Sequence, residues 1–203
     1  SELLERYRNE PRIMCISGNV FHRSRKIGNQ SYYFSRIPHI WGWATWRRAW
    51  RLYDVDMKSY PDFKKKNKIA QFFKKSVEQQ YWLNIFSKMF KGEMIDTWFD
   101  TWDYQWQFAF FNYKGMACTP KKNLVENIGL GDDATHTAGW HDQPPAKPLT
   151  FPMTHPEKIE VLSDIDTLTM KVRFIPRSLL YRAIRKGFRI LRKYGKKLIH
   201  VNK

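Results

Sequence analysis

The chain alternates between short apolar runs and longer stretches in which apolar residues return every three or four positions. Residues 2–8, ELLERYR, have the spacing of a helix end, closed by NEP. RIMCIS (12–17) is an apolar run of strand type that stops at Gly18. Residues 19–35 are polar and loop-like up to SYYFS, which predicts a short strand or extended segment. Pro38 keeps Ile37 out of a helix. From Gly42 onward, Trp43, Trp46, Trp50 and Tyr53 predict one helix with a single aromatic stripe, Arg47, Arg48 and Arg51 lying between them. A second helix is predicted over 68–90, where Ile69, Phe72, Phe73, Val77, Tyr81, Ile85, Phe86 and Met89 keep helical spacing before Gly92.

A third helix is predicted from Asp100, with Asp100 as N-cap and Asp103 at the third position, as in a capping box. Trp102, Trp106, Phe110 and Tyr113 would form its buried stripe, and Gly115 would end it. MACTP (116–120) reads as a strand, and IGLGDDATHTAGWHD (128–142) as a loop rich in Gly, Asp and His. Residues 143–158 hold five prolines and read as an extended tie or linker. After Pro176, Leu180, Ile184, Phe188, Leu191 and Leu198 line one face of a basic amphipathic helix. The expected organisation is a domain over 1–142, a Pro-rich extension over 143–170 and a basic tail over 171–203.

Composition sharpens this picture in two places. The 203 residues carry a formal net charge of +17, but Lys171 through Lys203 hold 12 of the 36 Lys and Arg, and no acidic residue follows Asp166. The basicity therefore belongs mainly to the tail. Nine tryptophans are a heavy load for a residue that concentrates in sites as well as cores. Cys15 and Cys118 make neither a disulfide framework nor a C-x-x-C metal pattern; a reduced compartment is the simplest reading, and a single bridge stays open. No apolar run reaches the roughly 18–20 residues that span a bilayer. The chain opens SELLERYRNE, with no signal-peptide pattern and no initiator Met, which leaves open whether it is a fragment of a longer protein.

DTWFDTWDYQW (96–106) places three aspartates among three tryptophans. Carboxylates serve as general bases, and tryptophan faces stack on the flat C–H faces of sugar rings. Arg47 and Arg48 have the chemistry to hold a diphosphate or an acidic acceptor by bidentate bonds, or to form a solvated helix face. Gly129 and Gly131 suit a mobile lid, with His136 between two threonines.

Taken in order, CISGNVF (15–21), FSRIPHIWGWATWRRAW (34–50), DTWDYQW (100–106) and NLVENIGLGDDATHT (123–137) resemble the acceptor-side half of a GT-A-type glycosyltransferase. They look like the bacterial hemolytic-protein-like group of family 2-like glycosyltransferases and are similar in motif order to animal N-acetylglucosaminyltransferase I. The resemblance covers about residues 1–140 and implies an α/β fold, the C-terminal half of a nucleotide-diphospho-sugar transferase. It implies inverting transfer from a nucleotide-sugar to a glycan or lipid-linked acceptor, as in polysaccharide biosynthesis.

By position in the motif, Asp103 resembles the base; the competing reading is a carboxylate that only complements the helix dipole. Trp41, Gly42 and Trp43 resemble the acceptor-site wall, with core packing as the alternative for Trp43. Trp102 suits either role. Arg47 is a candidate for substrate phosphate, and His136 for phosphate or metal. The resemblance also implies a divalent metal, Mn2+ or Mg2+, held by the acidic D-x-D-type motif that closes the N-terminal nucleotide-binding half, a half this chain is not expected to contain. If the chain is a fragment, that motif and the nucleotide-binding half are expected upstream of Ser1; if it is complete, donor binding is not expected. Either way the 203-residue chain alone is expected to be inactive.

The tail (177–199) is expected to lie on an anionic membrane, which would place the protein in the cytoplasm at the inner membrane face. Two other classes compete: a noncatalytic, membrane-docked carbohydrate-binding or interaction protein, and a basic nucleic-acid binder. Concentration of the charge in one tail, without a nucleic-acid motif, speaks against the last, so nucleic acid is not expected as a partner.

Overall fold

The computed structural model describes residues 2–22, 27–93, 101–128 and 144–175. The architecture is mixed α/β, built on a four-stranded mixed sheet. The strands are β1 (Ile13–Ile16), β2 (Tyr32–Ser35), β3 (Ala44–Thr45) and β4 (Met116–Pro120). Their order is β2-β4-β1-β3, with β1 and β4 parallel at the centre and both outer strands antiparallel to their neighbours. The apolar runs at 12–17 and 116–120 thus become the two central strands, as expected of segments buried on both faces.

One face of the sheet is covered by α1 (Glu2–Arg6) and by the Pro-rich segment. Leu3 and Tyr7 pack there with Ile13, Tyr32, Phe34, Met116 and Cys118, and Met153, Ile159 and Val161 complete the layer. The segment is also tied to β2 by main chain, since Ser31 N donates to Thr154 O at 2.8 Å and Leu162 N to Phe34 O at 3.1 Å. The other face packs on α5 (Asp103–Tyr113) through Trp106, Ala109 and Phe110 against Met14, Cys15 and Ala117. Met14 and Cys15 share that face because the β1–β4 register shifts between Ile13 and Cys15. Both cysteines are free and buried, one in each layer.

Behind α5 lies a helical layer. The helix α3 (Tyr60–Lys65), a 3-10 turn (Lys68–Gln71) and α4 (Ser76–Lys91) bury Tyr60, Phe63, Ile69, Trp82 and Phe86 against Phe108 and Phe111 of α5. Gly92 (φ +68) stops α4, as its place in the sequence predicts.

Four expectations are corrected. The helix predicted from Gly42 does not form as one unit: Ala44–Thr45 pair with β1, and only Arg47–Trp50 are helical, as α2. Trp43 packs in the α5 layer while Trp46 packs on the opposite face of the sheet, which a shared helical stripe would forbid. The predicted 68–90 helix is two pieces, because residues 72–75 leave the helical path between the 3-10 turn and α4. The stripe of α5 is not amphipathic. Gln105 through Phe111 are all buried, because the helix is enclosed between sheet and helical layer, while Trp102 and Tyr113 lie exposed at its ends. Finally, α5 begins at Asp103 with Trp102 as its flanking residue, so Asp103 is the first helical residue and not the third of a capping box. Asp100 lies outside the described residues.

Beyond the Pro-rich stretch, α6 (Ser163–Thr169) runs into a π-helical turn (Met170–Phe174). Asp166 anchors this segment. Ser35 Oγ donates to its carboxylate at 2.6 Å and Arg36 N at 3.1 Å. Burial lifts its pKa from the ordinary 3.8 to about 6, against the pull of those hydrogen bonds. The folded state therefore holds this proton more tightly than the unfolded chain. Asp166 opposes folding above about pH 6, and the opposition fades as pH falls toward 3.8, a change of about 3 kcal/mol. His22 and His39 act in the opposite sense. Burial lowers them to about 4 and about 3, so they contribute stability present above pH 6.5 and lost as pH falls. We expect the Tm of Asp166→Asn minus that of wild type to fall steadily from pH 7 to pH 4, as the cost of the buried charge disappears from the wild type. A pH-independent difference would show that Asp166 does not titrate in this window.

Candidate functional site

Three loops meet at the carboxyl end of the central strands, the usual ligand position in open α/β sheets. The first follows β1. Its Ser17 Oγ accepts from His39 N at 3.0 Å, and its Asn19 Oδ1 accepts from Trp41 N at 3.2 Å. These bonds fix the second segment, residues 36–43, which crosses the end of the sheet from β2 to β3. The third follows β4. Asn123 Oδ1 accepts from Val20 N at 3.3 Å, and its Nδ2 donates to Val125 O and Pro144 O at 2.7 and 2.6 Å. Gly42 completes the contact in a left-handed conformation (φ +58) that suits glycine, and a Cβ there would stand 2.4 Å from Val125 Cγ2.

A pocket of about 70 Å³ opens beside these loops. Asn19, His39 and Trp41 come from the loops, Trp82 from α4, Asp103, Tyr104 and Gln107 from α5, and Arg173 from the π-helical turn. Phe21 forms an aromatic corner with His39 (ring centroids 4.9 Å) and Trp41 (5.5 Å), and the Arg173 guanidinium lies 5.4 Å from its ring. The Thr101 hydroxyl donates to Asp103 Oδ1, which fixes the carboxylate at the start of α5. Burial lowers the pKa of Arg173, while Tyr104, Tyr81 and Asp103 act against that shift. Burial also holds His39 neutral, at about 3. The site thus combines a carboxylate, a guanidinium, a neutral imidazole and an aromatic wall.

Asp103 and Trp41 are therefore brought together. Trp43 and Trp102 are brought together elsewhere, 5.3 Å apart, in an aromatic cluster with Trp50, Tyr53 and Trp106. That cluster is partly open, with Trp50 40% and Trp102 37% exposed. Gly42 is exposed beside the pocket wall, and Arg47 is exposed on α2 away from the lining residues. Arg48 is structural: its guanidinium donates to Arg8 O at 2.9 Å and Tyr7 O at 2.8 Å and covers the Trp46 ring. His136, Asp96, Asp132 and Asp133 lie outside the described residues.

Sequence reasoning passes over Asn19, His39, Trp82 and Arg173. In sequence Arg173 reads as part of the basic tail, yet the turn that carries it packs Met170 into the core and brings Phe174 beside Trp82 (5.0 Å). Among the described residues, no group of three or more His, Cys, Asp or Glu is placed to hold a metal ion. The residues described for this pocket therefore do not by themselves fit a metal. Comparison with family models, with curated proteins and with solved structures gives no match.

Proposed function

We propose that this chain is the acceptor-side part of a GT-A-type glycosyltransferase that transfers a sugar from a nucleotide-sugar to a glycan or lipid-linked acceptor. One observation carries the reading. Three of the four stretches that motivate it, 15–21, 34–50 and 100–106, are separate in sequence, yet each supplies lining residues to the same pocket: Asn19 and Phe21, then His39 and Trp41, then Asp103 and Tyr104.

In this reading the acceptor enters against Trp41 and presents a hydroxyl to Asp103. The carboxylate accepts the hydroxyl proton as the oxygen attacks the anomeric carbon and the nucleoside diphosphate departs. The Thr101 hydroxyl holds one carboxylate oxygen, leaving the other for the incoming proton. Nucleotide and divalent metal would be held by the N-terminal half that such enzymes carry, and the metal would supply charge compensation for the leaving diphosphate. The test is assay of the full-length enzyme with a panel of nucleotide-sugars and Mn2+ or Mg2+. Absence of both transfer and nucleotide-sugar hydrolysis across the panel would remove the reading.

The basic segment 177–199 lies outside the described residues, and its role is proposed from sequence. Nine Lys and Arg flank its apolar stripe. Each basic residue near an anionic surface contributes about 1 kcal/mol, enough together to order a short helix that Gly187 and Gly195 weaken in isolation. A peripheral position at the inner membrane face would suit a lipid-linked acceptor. No helix among the described residues is long and apolar enough to cross a membrane. In sedimentation with anionic vesicles at low salt, the whole chain should pellet and a chain ending at Pro176 should not. Equal behaviour of the two would rule out the anchor.

A further inference from the structure

Three residues that line the pocket each carry a buried nitrogen with no hydrogen-bond partner among the described residues: Asn19 Nδ2, His39 Nε2 and Trp82 Nε1. Their side chains are 0%, 4% and 1% exposed. A buried polar group without a partner costs about 1–3 kcal/mol, and folded proteins seldom leave one unless a ligand or an ordered water belongs there. The positions of two are fixed by other bonds. Asn19 Oδ1 is committed to Trp41 N, which sets the direction of Nδ2, and the His39 main chain is held by Ser17.

We infer that the Asn19–His39–Trp82 end of the pocket recognises a neutral, hydroxyl-rich group, a sugar ring of the acceptor, and not a phosphate or carboxylate. The inference deepens the proposed function and rests on it only for the word acceptor. Asn19 Nδ2 and Trp82 Nε1 can only donate, and His39 Nε2 donates or accepts according to tautomer. The Asp103 carboxylate on the same lining accepts. A hydroxyl both donates and accepts, so a polyol matches this mixed set at every position. An anionic oxygen only accepts and would face Asp103. Arg173 does not reverse that balance, because the Asp103 carboxylate on the same lining opposes its charge. The ring faces of Trp41 and Phe21 beside these groups supply the apolar contact that a pyranose requires.

The experiment is a 1H–15N titration of the 203-residue chain, following the Trp82 indole N–H assigned through its contacts with Phe86 (ring centroids 5.5 Å). The probes are D-glucose, D-galactose, D-mannose and N-acetyl-D-glucosamine, and separately inorganic phosphate and D-glucuronate at matched ionic strength. At least one neutral sugar should shift the resonance saturably, and neither anion should do so at equal concentration. Asn19→Asp keeps the acceptor for Trp41 N and removes the donor; His39→Phe keeps an aromatic ring and removes the nitrogen. Either folded variant should weaken the sugar at least tenfold, as expected when a hydrogen-bonding site loses a partner. No shift with any sugar would mean that water alone fills the site, and a shift with phosphate or glucuronate but not with sugar would make it an anion site; both overturn the inference. Saturable sugar binding in a full-length protein without transfer would remove the glycosyltransferase reading and keep this site. Transfer with no response at Trp82 would do the reverse.

Discussion

Asp103→Asn should lower the sugar transfer proposed for the full-length protein about 10²–10⁴-fold, the range for losing a general base, while leaving the fold in place. Asparagine has nearly the same shape, and its Oδ1 can still accept the Thr101 hydroxyl. What disappears is the basic oxygen. The substitution also removes a negative charge from the first turn of α5, which costs about 0.3–1 kcal/mol of dipole interaction. That is too small to unfold the chain and too small to explain a loss of three decades. The loss should fall on kcat, with the KM for acceptor changing by less than about tenfold, because proton abstraction belongs to the transition state. A competing structural role predicts the reverse pattern: a drop in Tm with kcat preserved among folded molecules. Wild-type kcat in Asp103→Asn would remove Asp103 from the mechanism.

The sequence discloses the sheet better than it discloses the site. β1 and β4 are legible because a strand buried on both faces must be continuously apolar, and Gly92 marks the end of α4 because few other residues take its conformation. Residues 43–53 mislead because tryptophans at three-and-four spacing imitate a helical face. A two-residue edge strand, too short to show alternation, sends Trp43 and Trp46 to opposite sides of the sheet. Asp103 stands out by its aromatic neighbours, and Trp41 by lying off their stripe. Asn19 and His39 do not stand out, since their importance lies in long-range bonds, from Trp41 N to Asn19 Oδ1 and from His39 N to Ser17 Oγ, that no local pattern encodes. Arg173 is hidden by its surroundings: twelve basic residues in the last segment read as one solvated tail, and only the packing of Met170 and Phe174 separates it from the others.

Gly18→Ala should be the most damaging single methyl in the described structure. A Cβ at Gly18 would lie 2.4 Å from the carbonyl oxygen of Gly42, 3.0 Å from that of Trp41 and 2.8 Å from Val125 Cγ2. Two of these three neighbours are backbone, so the methyl can be housed only by moving the segment that carries Trp41 away from the end of β1. Overpacking of this kind costs about 1–3 kcal/mol when side chains can yield, and the upper end applies here because the main chain must yield. About 3 kcal/mol corresponds to a fall in Tm of about 6–12 °C for a chain of this size. Gly42→Ala provides the control. Its Cβ meets chiefly Val125 Cγ2, also at 2.4 Å, and its φ of +58 adds about 1–2 kcal/mol of backbone strain. In a Val125→Ala background the steric part of the Gly42→Ala cost should largely vanish, leaving the strain, whereas most of the Gly18→Ala cost should persist. Because the displaced segment carries His39 and Trp41, Gly18→Ala should also abolish the sugar-induced shift at Trp82 even below its Tm. A Gly18→Ala protein that melts within about 2 °C of wild type, or that Val125→Ala restores, would show that the 36–43 segment is not seated on Gly18 as described.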